Sequence, residues 1–288
     1  MPGAMTSLDP RLTPARPDLA AAHLRGVVEA ERYAEGRKMQ VVHALADLRG
    51  APNHEASITT QALLGESVTL YDEEEGWGFV QLARDGYVGY LSTDALAENG
   101  PAPTHRVTEN RTFVYPSADM KRPVFDALPL GALVFVRGLK QGFAQIGAAS
   151  YVFAAHLAPC CEKKNDYVAV AEQLLNAPYL WGGKTSLGID CSGLVQVSLG
   201  EAGIVAPRDT DLQQAALGQA IPFDEDLGGP RRGDLVFWRG HVGIMQDETR
   251  LIHANAHHML VVSEPLREAR DRIRASSNAD ILSIKRPG

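Results

Sequence analysis

Cys191, His241 and His253 are the residues whose types and spacing could do covalent chemistry. Cys191 stands in GIDCSGLVQVSLGEAG, from Gly188 to Gly203. Leu194, Val195, Ser198, Leu199 and Ala202 recur there at helical spacing, and Gly203 suits the position just past a helix end. The segment therefore predicts a helix with Cys191 in its first turn. Unpaired N–H groups and the dipole at that end favour a thiolate over a thiol. A thiolate that attacks an amide needs a base, because the leaving nitrogen must be protonated. His241 opens the stretch HVGIM and His253 falls near the end of RLIHA, with the polar turn Asp247–Arg250 between them. For both imidazoles to face one side of a hairpin, the loop must hold an odd number of residues or a bulge must restore the phase. A three-residue loop at 247–249 meets that condition. His241 then serves as base and His253 fixes its tautomer and orientation. With nine histidines in the chain, each alone is weak evidence, and their pairing behind a helix-start cysteine is what carries weight.

The elements that must hold these residues follow from the pattern around them. DYVAVAEQLLN at 166–176 carries the helical stripe Val168, Ala171, Leu174 and Leu175. Strands are expected at LVFW, HVGIM, RLIHA and LVVS. Helices followed by consecutive antiparallel strands make an α+β domain, placed at 165–288. Upstream, residues 39–99 alternate apolar and polar positions around Gly76, Gly78, Gly86 and Gly89, which predicts a small meandering β-barrel. Residues 104–158 repeat that order more loosely and predict a second one. Glu98-Asn-Gly-Pro-Ala-Pro103 reads as the linker between them. Residues 1–38 read as a proline-containing start and a helix that Asp18 could cap.

Composition sets the outer bounds. The chain has 288 residues, 45% hydrophobic and 22% charged, with a net charge of −7. That is ordinary globular composition and a poor match to nucleic acid or an anionic membrane. No apolar run approaches the roughly 18 residues of a membrane span, and the N-terminus has prolines and charges where a secretory apolar region would lie. These features lead to a cytoplasmic expectation. Three cysteines, two of them the adjacent Cys160 and Cys161, make no disulfide framework and no zinc pattern. Those two read as linker residues.

PYLWGG and CSGLVQ within 178–196, RGDLVFW at 232–238, HVGIM at 241–245 and LIHAN at 251–255 together resemble the NlpC/P60 cysteine peptidases. GE-x-V-x-L, GW-x-x-V and DGYVGYL, between Gly65 and Leu91, resemble a bacterial SH3 domain. The resemblance implies a papain-like catalytic domain behind two SH3-like barrels. It implies Cys191 as nucleophile, His241 as base, His253 as orienting residue and Tyr179 as a group that polarises the scissile carbonyl. The tandem SH3-like segments and PRDTDLQ at 207–213 narrow it to peptidases that cut γ-D-glutamyl-L-diamino acid bonds in free cell-wall peptides. Asp190 and Tyr87 would then hold the substrate amine, while Ser192 and Thr210 would contact the D-Glu carboxylate. Thr210 departs from the Ser of that motif but keeps the hydroxyl, and Glu55 is offset from where an acidic amine partner belongs.

Several of these residues carry a second reading. Asp190 suits a helix N-cap as well as an ammonium partner, and Tyr87 suits a barrel core as well as a substrate contact. Arg208 and Asp209 could pair internally. Trp181 reads as packing beneath the groove, and His257 and His258 as structural or surface residues. The leading function is hydrolysis of the γ-D-Glu–diamino acid amide in a short murein peptide with free N-terminal L-Ala, without metal or cofactor. The alternatives are a hydrolase or acyltransferase with the same Cys-His-His site acting on other amides or esters, and a non-catalytic wall-binding protein.

Overall fold

A computed structural model of the chain describes residues 8–98 and 100–288; the first seven residues and the linker residue Asn99 lie outside the described residues. The chain divides into two compact units. One takes in residues up to 106 with 113–128 and 132–154, and the other takes in 107–112, 129–131 and 155–288.

In the first unit, seven strands form one sheet: β1 (Arg37–Val41), β2 (Leu45–Arg49), β3 (Ile58–Leu63), β4 (Ser67–Glu74), β5 (Trp77–Leu82), β6 (Val88–Ser92) and β7 (Leu96–Glu98). Their order is β7-β1-β4-β5-β6-β2-β3. The β4–β5 hairpin shows how the sequence specifies it. Glu74 pairs with Trp77, which leaves Glu75 and Gly76 at φ +49° and +80°, the two-residue turn whose twist matches the strands. Val41, Leu48, Val68, Val80 and Leu91 alternate inward and are fully buried. The expectation of two closed barrels is not met among the described residues: this sheet is open between β7 and β3. Within 104–158 the strands Gly138–Lys140, Phe143–Gly147 and Ser150–Phe153 form a separate three-stranded meander.

The helix expected before residue 39 is also not found among the described residues 8–38. Ala15–Arg16 pairs with Leu19–Ala21, which pairs in parallel with Arg32–Ala34, and Ala22–Leu24 is one 3-10 turn. Leu19, Ala20 and Ala21 are all fully buried, a continuous run that suits a strand covered on both faces better than a helical stripe. Asp18 pairs with Arg16 at 2.8 Å instead of capping.

The second unit is α+β as expected. Its helices are α1 (Tyr167–Gln173), α2 (Cys191–Glu201), α3 (Thr210–Ala216) and α4 (Leu266–Ser277). Its main sheet has β8 (Gln219–Ile221), β9 (Leu235–Trp238), β10 (His241–Met245), β11 (Arg250–Asn255), β12 (Leu260–Pro265) and β13 (Ser283–Arg286), in the order β8-β13-β9-β10-β11-β12. Every pairing is antiparallel. The period of two divides β9 between both faces. Leu235 and Phe237 join α1 and α2 in one core, and Val236 and Trp238 join Leu266 and Ala269 of α4 in another. Each such side chain contributes roughly 1.5–3 kcal/mol of burial. The helix α2 is buried almost throughout, not on one stripe alone. Gly193 is the reason it can lie so close to its neighbour: a Cβ there would stand 2.3 Å from the Gly183 carbonyl oxygen.

Candidate active site

Cys191 is the first residue of α2 and is 7% exposed. Its Sγ lies 3.9 Å from Thr210 Oγ1 at the start of α3, and the backbone N–H of Val242 on β10 is near enough to favour the charged sulfur. Val242 directly follows His241, so the sulfur is held against the strand that carries the expected base. Burial, and after it the Asp190 charge, pushes the thiol up to about 11. The opposing pull of the Val242 N–H, the Thr210 hydroxyl and Arg208 is weaker. Burial of the sulfur therefore works against the thiolate that the helix start favours. One of its free N–H groups, that of Gly193, is already taken by Asp190 at 2.7 Å.

The hairpin between the two histidines has the phase that the pairing of imidazoles requires. Ile244 opposes Ile252, Met245 opposes Leu251, and the Gln246 N–H donates to the Arg250 carbonyl. Residues 247–249 are left as a three-residue loop, closed by Asp247, whose carboxylate accepts the Thr249 and Arg250 N–H groups at 2.7 and 2.8 Å. The imidazoles meet, with His241 Nε2 2.8 Å from His253 Nδ1. That leaves Nδ1 of His241 as the nitrogen available for the thiol proton. Burial, then neighbouring His253 and Arg272, holds His241 down to about 3, so burial favours the neutral form of both the cysteine and the histidine.

Sequence reasoning missed what lies behind His253. Its Nε2 is 2.6 Å from Glu264 Oε1 on β12. Arg272 on α4 grips both oxygens of that carboxylate at 2.6 Å each. Desolvation would raise the Glu264 carboxyl, but its bonds to His253 and Arg272 outweigh it and bring it to about 2. A signal existed: His253 opposes Val262, so Glu264, two residues on, shares its face of the sheet.

The residues expected to bind substrate are placed less uniformly. Asp190 N-caps α2, holds the Gly182 N–H at 2.8 Å and forms a two-pronged pair with Arg208 at 3.0 and 2.6 Å. The Ser192 hydroxyl donates to Asp190 and accepts from Arg208. Asp190 is thus saturated by the protein, and the capping reading holds where an open ammonium partner was also expected. The internal pair of Arg208 is with Asp190. Thr210 faces the sulfur. Gln213, fully buried, ties α3 to α2 through the Ser192 carbonyl at 2.9 Å. Tyr179 is half-buried against the same core, and burial together with the nearby Cys191 and Asp190 charges moves its phenol up to about 12. It is a proton donor at any working pH. Tyr87 is 5% exposed and packs in the core beneath the seven-stranded sheet of the first unit, not on an open contact surface. Glu55 is exposed in a turn of that unit. Trp181 is 67% exposed, so the expectation that it packs beneath a groove fails: the turn at Gly182 and Gly183 turns the indole outward. His257 and His258 are surface residues, and Cys160 and Cys161 are exposed thiols.

Two family models and several curated proteins and solved structures match the chain. Residues 176–271 match the NlpC/P60 family, and residues 48–96 match the bacterial dipeptidyl-peptidase SH3 domain. The chain is 27% identical over 218 residues to gamma-D-glutamyl-L-lysine dipeptidyl-peptidase of Bacillus subtilis, covering 68% of this chain and 72% of that protein. It is 24% identical over 245 residues to dipeptidyl-peptidase 6 of Lysinibacillus sphaericus, covering 75% and 86%. An NlpC/P60 family protein from Bacillus cereus has a similar fold, with a TM-score of 0.72 at 18% identity over 87% of this chain and 99% of that one. The chain is a cysteine endopeptidase. It carries an NlpC/P60 domain and a bacterial SH3 domain.

Proposed function

We propose that the chain hydrolyses the amide between γ-D-Glu and a diamino acid in short cell-wall peptides with a free N-terminal L-Ala. Cys191 is the nucleophile, His241 the base, His253 the residue that orients it and Tyr179 a donor to the carbonyl oxygen. The observation that carries the mechanism is the 2.8 Å contact between His241 Nε2 and His253 Nδ1, on a strand whose next residue, Val242, has its N–H near the Cys191 sulfur. With Nε2 engaged, Nδ1 of His241 takes the thiol proton as sulfur attacks and later delivers it to the departing amine. Water then releases the acyl group. A pair whose burial favours both neutral forms fits a proton transfer that accompanies attack. The substrate class is supported by the gamma-D-glutamyl-L-lysine dipeptidyl-peptidase to which the chain is similar.

A second reading keeps the same site and opens the substrate range to other amides of the cell wall. It is favoured by Asp190, whose carboxylate already carries Arg208 and two backbone N–H groups and so is not reserved for an ammonium. L-Ala-γ-D-Glu-diaminopimelate and its N-acetylated form separate the two. The first reading expects L-Ala-γ-D-Glu from the free peptide, at a kcat/KM at least 100-fold above that of the acetylated one. Equal cleavage of both selects the second.

A further inference from the structure

The imidazole pair can act as a base only if its protons sit on particular nitrogens. His253 Nε2 faces two groups with opposite demands: the Glu264 carboxylate at 2.6 Å, which wants a proton there, and Asn255 Nδ2 at 2.9 Å, itself a donor. The Asn255 amide is oriented by its oxygen, which accepts the His258 N–H at 2.8 Å. A bond to an ionised carboxylate is roughly twice as strong as one between neutral groups, so the proton stays on Nε2. His253 Nδ1 is then a lone pair, and His241 must donate to it from its own Nε2. The lone pair of His241 falls on Nδ1.

We infer that Glu264, clamped by Arg272, is a positioning residue that sets the tautomers of both histidines and so makes Nδ1 of His241 the basic atom. This rests on the cysteine-histidine reading above. Glu264 touches neither the sulfur nor the scissile bond in that scheme and acts through His253. Arg272 gives it a fixed orientation, since both carboxylate oxygens are held at once. A carboxylate left to rotate would offer His253 no constant acceptor. The titratable groups that act on the imidazoles are Glu264 from β12, Arg272 from α4 and His258 from the turn after β11. Of these only Glu264 favours a proton on His253.

The test compares wild type with Glu264→Gln and Glu264→Asp, the second keeping the carboxylate one methylene shorter. Histidine side-chain nitrogen NMR at neutral pH reads the tautomers without any substrate. In wild type, both His241 and His253 carry their proton on Nε2. In Glu264→Gln, His253 loses that fixed tautomer, kcat falls roughly 10- to 100-fold, the range seen when outer partners of functional histidines are removed, and KM stays within about threefold. Glu264→Asp recovers at least a third of the wild-type kcat. The inference is overturned if Glu264→Gln keeps both Nε2–H tautomers, whatever happens to its rate, because the loss would then be one of packing. It is equally overturned if the tautomers change and kcat does not. Should Glu264→Gln not fold, Glu264→Asp decides: wild-type tautomers with at least a third of the wild-type kcat, or mixed tautomers with less, uphold the inference, and wild-type tautomers with less than a third, or mixed tautomers with an unchanged kcat, overturn it. A wild type with no peptidase activity defeats the peptidase reading alone, since the NMR result stands without turnover.

Discussion

Replacing Arg208 with Met removes a buried cation from the α2–α3 junction while keeping the length of the side chain. Arg208 is 1% exposed and donates to both oxygens of Asp190, to the Ser192 hydroxyl at 2.8 Å and to the Gly183 carbonyl at 3.4 Å. Removing one member of a buried ion pair costs about 3–5 kcal/mol, because the other charge remains without its partner. Asp190 would keep the N–H groups of Gly182 and Gly193, which places the loss at the lower end, about 3 kcal/mol. For a unit of this size that corresponds to a fall in Tm of roughly 6–12 °C. Calorimetry at pH 7 measures it directly. Adding Asp190→Asn to Arg208→Met removes the stranded charge and keeps a good N-cap, so the double variant should melt above Arg208→Met. A fall of less than about 2 °C in the single variant, or a double variant no more stable than it, would refute the view that this pair is a structural clamp beneath the nucleophile.

The remaining expectations concern catalysis, acidity and the first unit. His241→Ala should lower kcat by roughly 10²–10⁴-fold, and His253→Asn, which keeps a polar group in place, should lose far less; equal small losses would show the roles to be misassigned. His241 binds its proton at about 3 in the folded chain against about 6.5 unfolded. Stability should therefore be level above pH 6.5 and fall as pH drops toward 3, by at most about 1.4 kcal/mol per pH unit. His241→Gln should flatten part of that slope in urea unfolding at pH 7, 6 and 5, and an unchanged slope would contradict it. Tyr87→Ala should cost about 3–5 kcal/mol of first-unit stability, as other large aromatic truncations in cores do; an unchanged urea midpoint would show that Tyr87 is not core.

The hairpin that brings His241 and His253 together was legible in the sequence because parity is a local property. Two histidines and a turn of countable length suffice to fix a phase, and the three-residue loop at 247–249 follows from that count. The state of Cys191 was not legible. Helix position argues for a thiolate, but burial of the sulfur and the charge of the adjacent Asp190 oppose it, and both depend on packing that spacing does not report. Asp190 shows the same limit, since a carboxylate that suits both a cap and an ammonium is decided by Arg208, eighteen residues on, folding back onto it. Trp181 was misread because an indole beside two glycines was taken to pack, when the glycine turn exposes it. Residues 18–34 misled through alanines and leucines that fit a helix by propensity; Gly26, at φ +81°, breaks such a helix, and the fully buried run Leu19–Ala21 fits a strand.

The nucleophile is tested most directly by mass spectrometry of L-Ala-γ-D-Glu-diaminopimelate incubated with wild type and with Cys191→Ala, each confirmed folded by its melting curve. Wild type is expected to release L-Ala-γ-D-Glu and free diaminopimelate, and Cys191→Ala to release neither above the buffer control, because no acyl-sulfur bond can form. Release of L-Ala-γ-D-Glu by contaminant-free Cys191→Ala at the wild-type rate would contradict Cys191 as the nucleophile.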